Sequence, residues 1–334
     1  MQTRFDVLTI GNAIVDVLSR VEEDFIVSQG LKKGIMHLID ADRMNFFYER
    51  LPVGVQEISG GSAANTAAGV ASLGGRGAFV GKVAADDWGR FFAKDMHRIG
   101  CHFETPMLEH GSETARSMIL ITPDGERTMN TYLGACQELT VNDIIEDEIG
   151  GSAITFMEGY LWDPPEAKRA FVKAAELAHK HGRSAAITLS DPFCVDRFRT
   201  EFIDLLRSGT IDTLLANEEE LISLYQTATL DEAVTALKAD CNRAAITRGA
   251  NGAMTVVDGE VTEVPVYPVE TVEDATGAGD LFASGFLYGL ATGRRHHDAL
   301  ALGCLCAAEV ITHVGARPVA HLKTLATKEG LLGG

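Results

Sequence analysis

Along most of this chain, short apolar β-rich runs alternate with helical patterns, and no other feature narrows the choice of fold as far. Residues 7–10, 77–83, 153–157, 185–189, 213–216, 244–247 and 253–257 read as strands. Between several of them lie amphipathic runs such as residues 165–181, where Ala167, Ala170, Phe171, Ala174, Ala175 and Ala178 recur at helical spacing. Apolar strands separated by helices suit a parallel sheet, because each crossover lays a helix on a sheet face and buries it. The expected fold is α/β, a mostly parallel, doubly wound sheet flanked by helices.

Two stretches break the rhythm. Residues 18–58, and residues 117–132 with a Pro-Asp-Gly turn between two alternating runs, read as short antiparallel strands. They predict a small antiparallel β lid, formed by insertions at about 18–58 and 112–133, over a site on the main sheet. With no internal repeat, low-complexity tract or Pro/Ser-rich linker, residues 1–334 are expected to form a single domain carrying this lid.

Charge and composition narrow the function classes. Lys and Arg total 29 against 47 Asp and Glu, a net charge of −18, so nucleic acid and anionic membranes are not expected partners. The chain start lacks the pattern of a signal peptide. The longest apolar stretch, residues 299–315, carries Glu309 and His313 and reads as a buried helix rather than a membrane span. Six scattered cysteines match neither a zinc ribbon nor a redox motif, which points to reduced thiols and a cytoplasmic protein.

Two motifs carry chemistry. In GGSAANTAAGVASLGG, residues 60–75, Gly60 and Gly61 precede a small-residue helix whose free amides can approach a ligand, and Asn65 lies in its first turns. Tight packing of that helix on the sheet is the competing reading. In DATGAGD, residues 274–280, Gly277, Ala278 and Gly279 are small enough to leave backbone amides facing one cavity. Asp280 follows where it could take a proton from a nucleophilic hydroxyl; the alternative is a helix cap after a tight turn.

Other candidates are weaker. GAFVGK, residues 77–82, has one residue too few for a phosphate-binding P-loop and reads as a strand. The glycines at 277 and 279 lack the third glycine of a dinucleotide fingerprint. His296, His297 and the acidic run 142–148 read as solvated surface. NEEE, residues 217–220, follows an apolar strand and could hold hydrated magnesium, or simply start an acidic helix. TRGANGA, residues 247–253, reads in isolation as a hairpin.

In order along the chain, GNAIVD (11–16), GGSAAN (60–65), GKVAADDWG (81–89), NEEE (217–220), TRGANG (247–252) and DATGAGD (274–280) resemble the ribokinase-like (PfkB) carbohydrate and nucleoside kinases. The resemblance implies a ribokinase-like fold and transfer of the ATP γ-phosphoryl group to a hydroxymethyl group, with Mg2+. It implies Asp280 as base and the amides of Gly277, Ala278 and Gly279 as an anion hole. Asn12, Asp16, Gly60, Gly61 and Asn65 would hold the acceptor. Asn217 and Glu220 would order magnesium through water, and Thr247, Gly249, Gly252 and His313 would line the ATP site. Arg127 matches a lid arginine that reaches the transferring phosphate, with a solvated lid arginine as the alternative. Asp274 and Thr276 are the expected position for K+, should a monovalent cation be required.

Within the family, LSDPFCVDRF (189–198) and GYLW (159–162) look most like the adenosine kinase branch. That likeness places Tyr160, Phe193, Met36 and Leu38 around a purine. Thr276 departs from the Asn that some adenosine kinases carry there. The implied reaction is phosphorylation of the 5′-hydroxyl of adenosine or a similar nucleoside. A ribose or fructose kinase and a catalytically silent nucleoside-binding regulator are the alternatives, and the assembly is expected to be a monomer or homodimer.

Overall fold

The computed structural model describes residues 3–52 and 54–333. The first third of the chain runs β1 (Phe5–Ile10), β2 (Ile14–Arg20), α1 (Glu23–Ser28), β3 (Met36–Leu38), α2 (Ala41–Tyr48), β4 (Gln56–Gly60), α3 (Ser62–Ser72), β5 (Gly77–Val80) and α4 (Asp87–Arg98). The middle runs β6 (Ala115–Ile121), β7 (Arg127–Tyr132), α5 (Glu146–Gly150), β8 (Ser152–Glu158), α6 (Pro165–Lys180), β9 (Ser184–Thr188), α7 (Pro192–Arg207) and β10 (Thr213–Asn217). The remainder is α8 (Glu218–Tyr225), α9 (Leu230–Asp240), β11 (Arg243–Thr247), β12 (Ala253–Val257), β13 (Glu260–Val264), α10 (Ala278–Ala291), α11 (His296–Val310) and α12 (Leu322–Lys328).

The eight-stranded main sheet has the order β13-β12-β11-β10-β9-β8-β1-β5. Neighbours from β5 to β11 are parallel, and the hairpins β11/β12 and β12/β13 add an antiparallel edge. Alternate residues serve opposite faces. Leu8, Ile10, Met157, Ile187, Leu214 and Ile246 pack with α6 to α9, whereas Val7, Ile154, Phe156, Ala186, Leu215 and Ala245 pack with α10 and α11. Chain order reverses direction between β1 and β8, and in open α/β sheets that switch point is where ligands bind.

The second sheet, β3-β7-β6-β2-β4, is mixed rather than purely antiparallel. β2/β4 and β6/β7 are antiparallel, but β2/β6 and β3/β7 are parallel. The cause lies in β2, which leaves β1 through residues 11–13, begins at Ile14 rather than near residue 18, and runs alongside β6 in the same direction. Residues 18–58 also hold α1 and α2, whose Ile26, Met44 and Phe47 cover Met118 and Leu120 on the outer face of this sheet.

The acidic run 142–148 is not wholly solvated. Asp143 is buried and pairs with Lys82 Nζ at 2.6 Å, so the lysine of GAFVGK is tied to a structural carboxylate. Among the described residues no helix is long and apolar enough to cross a membrane.

Candidate active site

A cavity of about 790 Å³ opens between the carboxyl ends of the main-sheet strands and the inner face of the small sheet. Strand alternation supplies the inner wall: Ile14 and Asp16 from β2, Met36 and Leu38 from β3, Ser117 and Ile119 from β6, Met129 and Thr131 from β7.

The floor is built where two helices begin. β4 ends at Gly60, and Gly61 turns the chain into α3 with φ of 96°, a conformation that favours glycine; a Cβ there would strike the Asn12 carbonyl oxygen. The first turn of α3 then reaches α10. Ser62 Oγ donates to Asp280 Oδ1 at 2.6 Å and Asn65 Nδ2 donates to Oδ2 at 2.9 Å. Asp280 is the third residue of α10 and does not cap it; the residue before the helix is Gly277, at φ 82°, pressed so closely on Ala316 that a Cβ would lie 2.7 Å from its Cα. The capping reading of Asp280 is thereby replaced by a carboxylate fixed from a neighbouring helix. Of the amides expected in an anion hole, that of Ala278 already donates to the Ala275 carbonyl at 3.2 Å.

Burial raises the Asp280 carboxyl above its ordinary value, against hydrogen bonds from Ser62 and Asn65 and the charge of Arg317. Burial likewise lifts Asp16 to about 7, opposed by Arg317 and Arg127. Glu158, at the end of β8, is buried and lifted to about 7 by desolvation although it accepts from the Asn12 N–H and Nδ2, both at 2.6 Å, and from the Ala63 N–H at 2.7 Å. It thus fastens the β1/β8 switch point to α3.

Arg127 is not a solvated lid residue. Its guanidinium reaches from β7 to Asp274 at 2.7 Å and to Thr276 Oγ1 at 2.9 Å. Asp274 Oδ1 also accepts from the Thr276 N–H and hydroxyl, and Oδ2 from the Gly315 N–H. Burial would raise this carboxyl, but those bonds and Arg127 hold it below its ordinary value. About four lone-pair positions on a carboxylate match these four donors, so the Asp274 side chain is fully engaged within the protein in this arrangement.

On the far side of the cavity Asn217 and Glu220 form a reciprocal cap of α8: Asn217 Oδ1 accepts from the Glu220 N–H at 2.8 Å, and Glu220 accepts from the Asn217 N–H and Nδ2 at 2.9 and 2.7 Å. Burial lifts Glu220 to about 7. Thr247 and Gly249 line the cavity beside them. Gly252 and His313 do not. Gly252 closes the β11/β12 hairpin against the Val264 carbonyl, and His313 lies beside Glu309, 3.3 Å away, on the turn after α11. Gly60 also falls behind the wall, packed on Asp16.

Also lining the cavity, Tyr160 and Phe193 are 44% and 66% exposed, and Met36 and Leu38 of the small sheet are 49% and 63% exposed. Tyr160 is fixed to Ser190, whose carbonyl accepts from the phenol at 3.1 Å, while Asp191 caps α7 and so places Phe193 in its first turn.

Three residues of the site escaped the sequence reading. Ser62 lay inside a recognised motif, and only its position one residue after Gly61 marked it out. Glu158 and Arg317 stand alone in sequence, and nothing short of the fold brings them to Asp280.

A model of the pfkB family carbohydrate kinases matches residues 35–322. The chain is 26% identical over 330 residues to the adenosine kinase of Saccharomyces cerevisiae, covering 92% of this chain and 95% of that one. It is 50% identical to the structure of adenosine kinase from Sinorhizobium meliloti, covering 98% and 99% of the two chains with a TM-score of 0.90. It is also 50% identical to a probable sugar kinase from Rhizobium etli CFN 42, covering 99% and 100% with a TM-score of 0.91. The fold is ribokinase-like, and the chain belongs to the pfkB family of carbohydrate kinases.

Proposed function

We propose that this kinase transfers the γ-phosphoryl group of ATP to the 5′-hydroxyl of adenosine or a closely similar nucleoside, with Asp280 as general base. The phosphoryl-transfer part rests on Asp280, a carboxylate held by Ser62 and Asn65 at the mouth of the first turn of α10. The acceptor hydroxyl gives its proton to Asp280 as its oxygen bonds to the γ-phosphorus, and the bond to the bridging oxygen breaks to leave ADP. A carboxyl raised above its ordinary value by burial is a stronger base than an exposed one. Such a reaction asks the protein chiefly for alignment and charge stabilisation.

Magnesium would be brought by the nucleotide. Asn217 and Glu220 offer the oxygen chemistry it prefers, but their own mutual bonds suit contact through water, and no described group of three or more His, Cys, Asp or Glu forms a direct cage. When bound there it would supply charge neutralisation across the phosphates. The small sheet would act as the lid, with its inner face excluding water.

The observation that carries the nucleoside reading is the exposed apolar surface that Tyr160, Phe193, Met36 and Leu38 contribute to the lining of one cavity. A purine offers faces that such side chains can stack on; a free sugar does not. The name of the Sinorhizobium meliloti relative agrees with this reading. A sugar acceptor is the second reading, favoured by the polar inner wall of Asn12, Asp16 and Asn65 and by the name of the Rhizobium etli relative. A coupled ADP-release assay over adenosine, other nucleosides, ribose and fructose decides between them. Adenosine is expected to be turned over fastest, and a clear preference for ribose or fructose overturns the nucleoside reading.

A further inference from the structure

Arg317 follows the turn after α11 and belongs to none of the motifs described above. Its guanidinium is spent on the backbone at the head of α3. Nε and Nη2 donate to the Ser59 carbonyl at 3.0 and 2.6 Å, Nη2 also to the Ser59 hydroxyl at 3.1 Å, and Nη1 to the Ala64 carbonyl at 2.9 Å. These carbonyls stand on either side of Gly60 and Gly61, the pair that turns β4 into α3. Ser59 is gripped again from α4, where Asp95 Oδ2 accepts from its N–H at 3.2 Å and its hydroxyl at 2.6 Å.

The two residues before Arg317 hold the other half of the site. The Gly315 N–H donates to Asp274 at 2.9 Å, and Ala316 packs against Gly277 at the start of α10. One short turn therefore touches both the helix that carries Asp280 and the helix that carries its partners Ser62 and Asn65.

We infer that Arg317 is a positioning residue for phosphoryl transfer: it anchors to the head of α3 the short turn whose Gly315 and Ala316 meet Asp274 and the start of α10, and it keeps a positive charge in the surroundings of Asp280 and Asp16. The inference rests on the reading of Asp280 as base. The charged and titratable groups around Asp280 are Asp16 from β2, Glu158 from β8, Tyr160 from the turn after β8, and Arg317; Arg127 from β7 acts on Asp16. Arg317 itself also faces Asp95 and Cys101. Within this set Arg317 is the cation that draws Asp280 down against burial. Loss of that cation raises the Asp280 carboxyl further, so the base stays protonated to higher pH.

The test compares Arg317→Met with Arg317→Lys, using whichever acceptor the wild type turns over, with Asp280→Asn measured alongside. Arg317→Met is expected to lower kcat by about 10²-fold, as for a misplaced catalytic group, with KM for ATP within about threefold. Its acid limb in the kcat–pH profile should move up by about one pH unit. Arg317→Lys keeps the charge and loses the fork, so its acid limb should stay at the wild-type pH while kcat still falls by about tenfold. If both variants lose thermal stability yet keep the wild-type kcat and acid limb, Arg317 is a structural brace and the inference is overturned. Should Arg317→Met fail to fold, an Arg317→Lys variant with wild-type kcat overturns it equally. Activity retained in Asp280→Asn instead removes the base, overturning the reading beneath the inference as well.

Discussion

Arg127 of the small sheet and Asp274, six residues before Asp280, are joined by an ion pair at 2.7 Å that ties the small sheet to the segment leading into α10. Both partners are largely shielded from solvent, 14% and 8% exposed, so truncating either leaves the other charge poorly compensated. If the Arg127 charge acts on the moving phosphoryl group, Arg127→Ala should lower kcat by about tenfold or more while changing the ATP KM by less than about threefold. Steady-state kinetics check this, and a change confined to KM would make Arg127 a ground-state ligand. Asp274→Asn should act through the same pair, so the double variant should fall short of the sum of the two single losses.

Asp280→Asn should keep the fold and the nucleotide affinity and lose about 10²-fold or more in kcat, the low end for a general base. Asn65 and Ser62 both donate to this carboxylate, so the amide gives up one accepted bond but also removes a charge that burial disfavours. Thermal unfolding is expected to shift little. Turnover within tenfold of wild type, in protein free of wild-type contamination, removes Asp280 from the base role.

Phe193→Ala separates nucleoside from sugar. Stacking on a base is worth about 1–3 kcal/mol, and at ~1.4 kcal/mol per decade its loss should lower kcat/KM for adenosine by about tenfold. Activity on ribose should scarcely change. The ring is 66% exposed, so little cavity is left behind and stability should hold. Equal losses with both acceptors would place Phe193 outside purine binding.

Asp16→Asn tests the electrostatics of the inner wall. The Asp16 carboxyl titrates at about 7 in the folded protein and at an ordinary 3.8 when unfolded. Between those values the folded state binds the extra proton, so wild-type stability contributed by this group is complete below the lower value and is lost as pH rises toward 7. The variant should therefore gain a few °C in Tm over wild type at pH 8, and less at pH 5. If Asp16 holds acceptor hydroxyls, the same variant should also raise KM for the acceptor. A Tm difference that is the same at both pH values would show that Asp16 ionises normally.

Local patterns made the main sheet legible, and long-range pairings hid the small one. Strand runs such as residues 153–157 and 185–189 need only their own apolar residues to be seen, and the heads of α3 and α10 announce themselves through glycines that few other contexts require. The parallel pairing of β2 with β6 joins residues about a hundred positions apart, and no turn motif links them. β13 was missed because Glu260 to Val264 alternates weakly at an exposed edge. Gly252 belongs to a motif whose Thr247 and Gly249 line the cavity, yet its own backbone closes a hairpin. Arg317 and Glu158 show the opposite limit. A single charged residue carries no periodicity, and only tertiary structure reveals what it holds.

Between Ile10, where β1 ends, and Ile14, where β2 begins, the chain passes from one sheet to the other in three residues, and the middle one is Asn12. Glu158 grips both its backbone and its side chain. Any swing of the small sheet would thus turn about an axle set in the wall of the binding cavity, with the Pro-Asp-Gly tip between β6 and β7 as the far end of the lever. A molecule bonded to Asn12 would rest almost at the fulcrum, keeping its place beside Asp280 while the tip travels.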